Sequence, residues 1–143
     1  MFKFSLVIVM VGFFFSFAAE AAVCPKPANV VCEKHRKCET AAGFTCKCDG
    51  SKKGPMVRFT GAKWNVYAFN GWYPKNHVNC GYSDAGGGSV AVVTRQVVQT
   101  SLKKANFKGS WKFHGNDDPD PCGFGSVPCA KCLTSNVNSC PLP

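Results

Sequence analysis

Two groups of residues in this chain have the types and spacing that do chemistry. Cys129-Ala-Lys-Cys132 has the C-x-x-C spacing of a zinc site or a redox dithiol, and His35, His77 and His114 can supply further zinc ligands. A redox pair needs a helix N-terminus beside a thioredoxin-like sheet, and this one sits in a loop near the C-terminus. The histidines themselves invite a hydrolase reading. Two imidazoles, or one with Glu39 or Asp84, can move protons at neutral pH, while Arg58 or Arg95 holds a phosphate. No nucleophile motif or metal-hydrolase helix accompanies them, and Gly86-Gly-Gly-Ser89 lacks the lysine of a phosphate-cradling loop. Asp117, Asp118 and Asp120 resemble half a calcium loop without its later ligands or closing Glu. The expectation is therefore structural disulfides, surface histidines, no catalytic residue, and no metal or cofactor.

The basic residues say more. The formal net charge is +9, and the stretch from Cys24 to Lys63 holds nine Lys/Arg against three acids. Lys34, Arg36, Lys37, Lys52 and Lys53 are the anion-binding candidates, and Lys47, Arg58 and Lys63 can extend them into one face beside aromatics such as Trp72 or Tyr73. Such a face suits nucleic acid, anionic lipid or an acidic cell-wall polymer. No recognition helix or RNA-binding motif singles out nucleic acid.

The elements that must position these groups centre on 56–74, a cysteine-free run. Val57 and Phe59 alternate with polar residues, Gly61-Ala62 breaks the run, and Trp64 and Val66 resume it. The pattern predicts a hairpin turning at Gly61-Ala62, with Trp64 and Val66 in the core of a central sheet. For 90–105 a helix is expected, capped by Ser89, with Val90, Val93, Val97, Val98 and Leu102 on one face and Lys103-Lys104 at its end. Its valines and threonines argue for a strand instead. Ser110–Phe113 reads as a short strand. The fold class expected is α+β, a small disulfide-rich domain with a central antiparallel sheet and one helix; the alternative is all-β.

Residues 1–21 read as a cleavable export signal: a basic start, a short apolar run and small residues at Ala19 and Ala21. The single cysteine-rich domain is then 22–143, with no transmembrane segment. All ten cysteines (Cys24, Cys32, Cys38, Cys46, Cys48, Cys80, Cys122, Cys129, Cys132 and Cys140) survive cleavage, and an even number in a small exported chain implies disulfides. Cys46 and Cys48, with only Lys47 between them, are expected to face opposite ways and take different partners. Cys38 and Cys132 each precede another cysteine by the same gap, a trace of duplication if it is not chance.

This layout (export signal, short mature chain, ten cysteines, no catalytic signature) resembles the small cysteine-rich secreted effectors of plant-pathogenic fungi. Asn136-Val-Asn-Ser-Cys140 and Gly125-Ser-Val-Pro128 give a fainter likeness to fungal killer-toxin-like proteins. The resemblance implies a non-enzymatic effector or toxin-like scaffold that is secreted, with possible uptake into host cells, and that binds a host protein or anionic polymer. The alternative is a small secreted hydrolase of ribonuclease-like type.

Overall fold

The computed structural model describes residues 22–33, 38–50, 53–65, 76–97, 106–115 and 129–143. Residues 1–21, Val66 and the stretch 98–105 lie outside them. The described chain is mostly β, with no helix of seven or more residues, which corrects the α+β expectation. A small sheet has the order β2 (Cys38–Glu39), β1 (Val31–Cys32), β4 (Gly54–Pro55). The large sheet has six strands in the order β3 (Thr45–Gly50), β7 (Ser89–Gln96), β6 (His77–Ser83), β5 (Arg58–Asn65), β9 (Cys129–Cys132), β8 (Lys112–His114). Every pairing is antiparallel. Short 3-10 turns occur at Pro27–Asn29 and Val137–Ser139.

Where a helix was expected from Val90, the chain runs as β7 between β3 and β6. Ala91 and Val93 are buried on one side, Val92 and Thr94 on the other. A strand covered on both sides carries valines on both, and this imitates the three-and-four spacing of a helix face. The β-branched residues decide the outcome.

The expected hairpin at Gly61-Ala62 is also corrected. Arg58–Asn65 is one continuous strand, and the break is a β-bulge: Phe59 opposes Tyr82, Gly61 opposes Gly81, and Thr60 is the extra residue. Phe59 and Trp64 are five apart and would face opposite sides of a regular strand. The inserted residue brings both to the core, where each is 2% exposed. Gly61 has φ +124°, and a Cβ there would lie 2.7 Å from the Cys132 carbonyl oxygen. The expected burial of Trp64 therefore holds, although the turn does not.

Pairing fixes which side chains share a side. One side of the large sheet carries Cys46, Cys48, Ala91, Val93, Val78, Cys80, Tyr82, Phe59, Ala62, Trp64, Ala130 and Cys132. All are buried except the half-buried Cys46, and they form the core. Four disulfides among the described residues fasten other segments onto this side: Cys24–Cys80, Cys32–Cys48, Cys38–Cys46 and Cys132–Cys140. Each has one partner on the large sheet and one on a covering segment. A bridge of this kind commonly contributes about 2–4 kcal/mol. The terminal segments close over the same side. Tyr82 Oη donates to Pro25 O at 2.7 Å, Leu142 N to Ala22 O at 2.7 Å, and Trp111 Nε1 to Pro141 O at 2.8 Å.

Cys46 and Cys48 take different partners as expected, but they face the same way, as residues two apart in a strand must. The two matched cysteine gaps are both closed by disulfides of sequence separation 8. One joins β2 to β3; the other joins β9 to the C-terminal turn. No repeated element accompanies them among the described residues.

Candidate functional site

The imidazoles do not converge. His77 opens β6 and His114 closes β8, with β5 and β9 between them. Three strand spacings of about 4.8 Å put their backbones roughly 14 Å apart. Asp84 follows the other end of β6, roughly 20 Å along the strand from His77. Glu39 belongs to the small sheet. Neither His77 nor His114 is placed to share a proton directly with the other or with these carboxylates. His35 lies outside the described residues, as do Asp117, Asp118 and Asp120.

The sulfurs are committed. Cys129 and Cys132 are three apart on β9 and so point to opposite sides of the sheet, which rules out a shared metal ion. Cys132 is bonded to Cys140, and Cys129 is also disulfide-bonded. Cys32, Cys38 and Cys48 bring their sulfurs within 4.8 Å of one another, as two neighbouring disulfides do. None of the described cysteines is a free thiol, and a metal needs the thiolate. Cys122 lies outside the described residues.

What the fold does assemble is charge. The side of the large sheet opposite the core carries Lys47 on β3, Arg58 and Lys63 on β5, Lys131 on β9 and Lys112 on β8. Lys131 is half-buried and the other four are exposed. Asp49 is the one carboxylate among the described strand residues of this side. Three of the cations lie in register: Lys131 sits directly between Lys63 and Lys112. Like charges directly opposite each other in a sheet are destabilising, by roughly 0.2–1 kcal/mol per pair.

The same row continues across the sheet. Lys63 pairs with Asn79, Asn79 with Thr94, and Thr94 with Thr45, so six polar side chains span all six strands. Thr45 and Thr94 share a hydrogen bond of 2.6 Å between their hydroxyls. Asn79 Nδ2 donates to the His77 carbonyl at 3.3 Å, while its Oδ1 is buried without a partner. The aromatics of the sheet, Phe59, Trp64, Tyr82 and Phe113, all lie on the core side. Burial there pushes the Tyr82 phenol well above its ordinary range.

Of the anion-binding residues expected from the sequence, Lys34, Arg36, Lys37 and Lys52 lie outside the described residues, as do Trp72 and Tyr73. Lys53 is exposed but adjoins β4 of the small sheet, on a different surface from the lysine row. Lys47, Arg58 and Lys63 do share a face. Sequence reasoning missed Lys112 and Lys131. The signal was a repeated triplet, lysine between two apolar residues: Cys46-Lys-Cys48, Ala62-Lys-Trp64, Trp111-Lys-Phe113 and Ala130-Lys-Cys132. In a strand each triplet turns its lysine away from the core.

Comparison with family models, curated proteins and solved structures finds no match to this chain.

Proposed function

We propose that this chain is a secreted, non-enzymatic effector or toxin-like protein, of the kind made by plant-pathogenic fungi. It is a disulfide-stapled basic scaffold that binds an anionic target of a host or competitor through the outer side of its large sheet. Five cations against one carboxylate on a single sheet side carry this reading. Four disulfides fit an oxidising, extracellular setting, and no helix among the described residues is long and apolar enough to cross a membrane. Charges held on a rigid sheet lose little freedom on meeting a polyanion, so the affinity per charge exceeds that of a loose tail.

The test removes the same charge from two places. Lys63, Lys112 and Lys131 changed together to Gln should elute from a sulfonate cation-exchange column at clearly lower salt than wild type. Lys26, Lys53 and Lys108 changed together, all exposed and outside the large sheet, should shift elution less. Equal shifts would mean that net charge alone governs retention and that the sheet side is no binding surface.

A further inference from the structure

We propose that Cys32, Cys38, Cys46 and Cys48 form a redox-gated zinc site. In an oxidising compartment they are two disulfides; once a dithiol reductant has opened both, they are four thiolates around one Zn2+. The site is separate from the basic side of the sheet and does not depend on it.

The fold brings these four residues together from two sheets. Cys32 and Cys38 stand directly opposite each other on β1 and β2 of the small sheet. Cys46 and Cys48 are two apart on β3 and share the core side of the large sheet. The sulfurs of Cys32, Cys38 and Cys48 all lie within 4.8 Å of one another, and that of Cys46 is bonded to that of Cys38. Zn–S bonds of about 2.3 Å in a tetrahedron hold sulfurs about 3.8 Å apart. The cluster is already near that size, and opening the bridges lets side-chain rotation complete it. Among the described residues it is the one group of potential metal ligands this close together. Four thiolates in a tetrahedron suit zinc, whereas a harder divalent cation prefers oxygen.

Burial sets the order of reduction. Cys38 and Cys46 are half-buried, whereas Cys32–Cys48, Cys24–Cys80 and Cys132–Cys140 are buried at both ends. A dithiol therefore meets Cys38–Cys46 first, gives it two electrons and two protons, and itself becomes a disulfide. The freed Cys38 thiolate lies against Cys32–Cys48 and attacks one of its sulfurs. A bridge to Cys38 forms as the Cys32–Cys48 bond breaks, and the displaced thiolate takes a proton. A second dithiol reduces this new bridge, which includes the accessible Cys38. Four thiols then release four protons to Zn2+, leaving a centre of charge −2 in a chain of net charge +9.

The gain is mechanical. Both bridges tie the small sheet to β3, and reduction alone would release it. Zinc restores the same tie, so the covering sheet stays in place on passage from an oxidising to a reducing compartment, where cysteine clusters serve as metal sites.

The experiment treats the oxidised protein with two equivalents of a water-soluble phosphine, with and without Co2+ as the spectroscopic stand-in for Zn2+. One Co2+ per chain should bind, with the intense visible bands of a tetrahedral site and thiolate charge-transfer absorption, and Zn2+ should displace it. N-ethylmaleimide should label Cys32, Cys38, Cys46 and Cys48 only after EDTA has removed the metal, while Cys24, Cys80, Cys132 and Cys140 stay bridged. Cys38→Ser with Cys46→Ser should weaken metal binding by about a hundredfold or more; Cys132→Ser with Cys140→Ser, which opens a different bridge, should change it by less than about threefold. Circular dichroism checks that both variants fold, and the labelling map of the wild-type chain decides the matter where one does not. Failure to bind a stoichiometric metal ion, an octahedral Co2+ spectrum, or protection of other cysteines would overturn the site. Reduction of Cys24–Cys80 or Cys132–Cys140 ahead of the quartet would overturn the gating. None of these results bears on the basic sheet side, whose own test stands apart.

Discussion

Truncating Trp64 tests the architecture at its centre. The indole lies on β5, the strand between β6 and β9, and is 2% exposed. Its ring sits 5.5 Å from that of Phe107 and 6.3 Å from that of Phe113. A buried Trp removes about 200–250 Å² from water, worth roughly 5–6 kcal/mol at 25 cal/mol per Å². Alanine retains part of that, so Trp64→Ala should cost about 4 kcal/mol, within the usual range for Trp truncation. At roughly 4 °C per kcal/mol for a domain of this size, the melting temperature falls by about 15 °C. Trp64→Phe should behave differently. It forfeits about a third of the area, but it also removes an indole N–H that is buried without an acceptor, a group whose burial costs about 1–3 kcal/mol. The two effects nearly offset, leaving a net change within about 1 kcal/mol. Urea unfolding of the oxidised protein, followed by circular dichroism, measures both variants. If Trp64→Ala unfolds within about 1 kcal/mol of wild type, β5 is peripheral. If Trp64→Phe costs as much as Trp64→Ala, the unpaired N–H carries no penalty.

Two further outcomes follow from the geometry. Lys131→Glu places a carboxylate between Lys63 and Lys112, replacing two repulsive cross-strand pairs with two attractive ones. It should stabilise by about 1 kcal/mol at low salt and by less at high salt, in urea titrations at both; destabilisation would show that the three side chains do not face one another. Tyr82 is a buried phenol whose ionisation is disfavoured in the native state, whereas in the unfolded chain it ionises near pH 10. Above that pH the native state holds more protons, so stability falls as pH rises. Tyr82→Phe should lose about 1–2 kcal/mol at neutral pH, from the hydrogen bond to Pro25 O, and should show a shallower alkaline decline than wild type; parallel declines from pH 9 to 11 would refute the assignment.

How legible the molecule was depended on how local each feature is. The alternation around Phe59 and Trp64 marked a buried strand because period 2 is written in neighbouring residues. The change of phase between them was equally visible, but two structures produce it. A turn reverses the chain at that point, whereas a bulge slips it by one residue, and only the partners on β6 and β9 decide between them. The valines of β7 were ambiguous for a related reason. A strand flanked and covered on both sides loses its polar alternation, and with it the signal that separates it from a helix.

The lysine row is the extreme case, because its members are 63, 112 and 131 and no window of sequence contains two of them. What each local triplet does determine is that its lysine leaves the core. Which outward lysines become neighbours is decided by strand order, and β9 reaches β5 only because the chain returns from its far end to pair there. Along the chain, cations are dense at Lys34, Arg36, Lys37, Lys52 and Lys53. The fold gathers charge from three distant strands instead. That placement has a consequence for reading other disulfide-stapled chains of this size. One side of this sheet is occupied by disulfides and covering segments; on the other the cations are exposed or half-buried, while Asn79, Val92 and Thr94 are buried. Apolar–Lys–apolar triplets on separate strands are then a better guide to where a sheet gathers positive charge than the local density of basic residues.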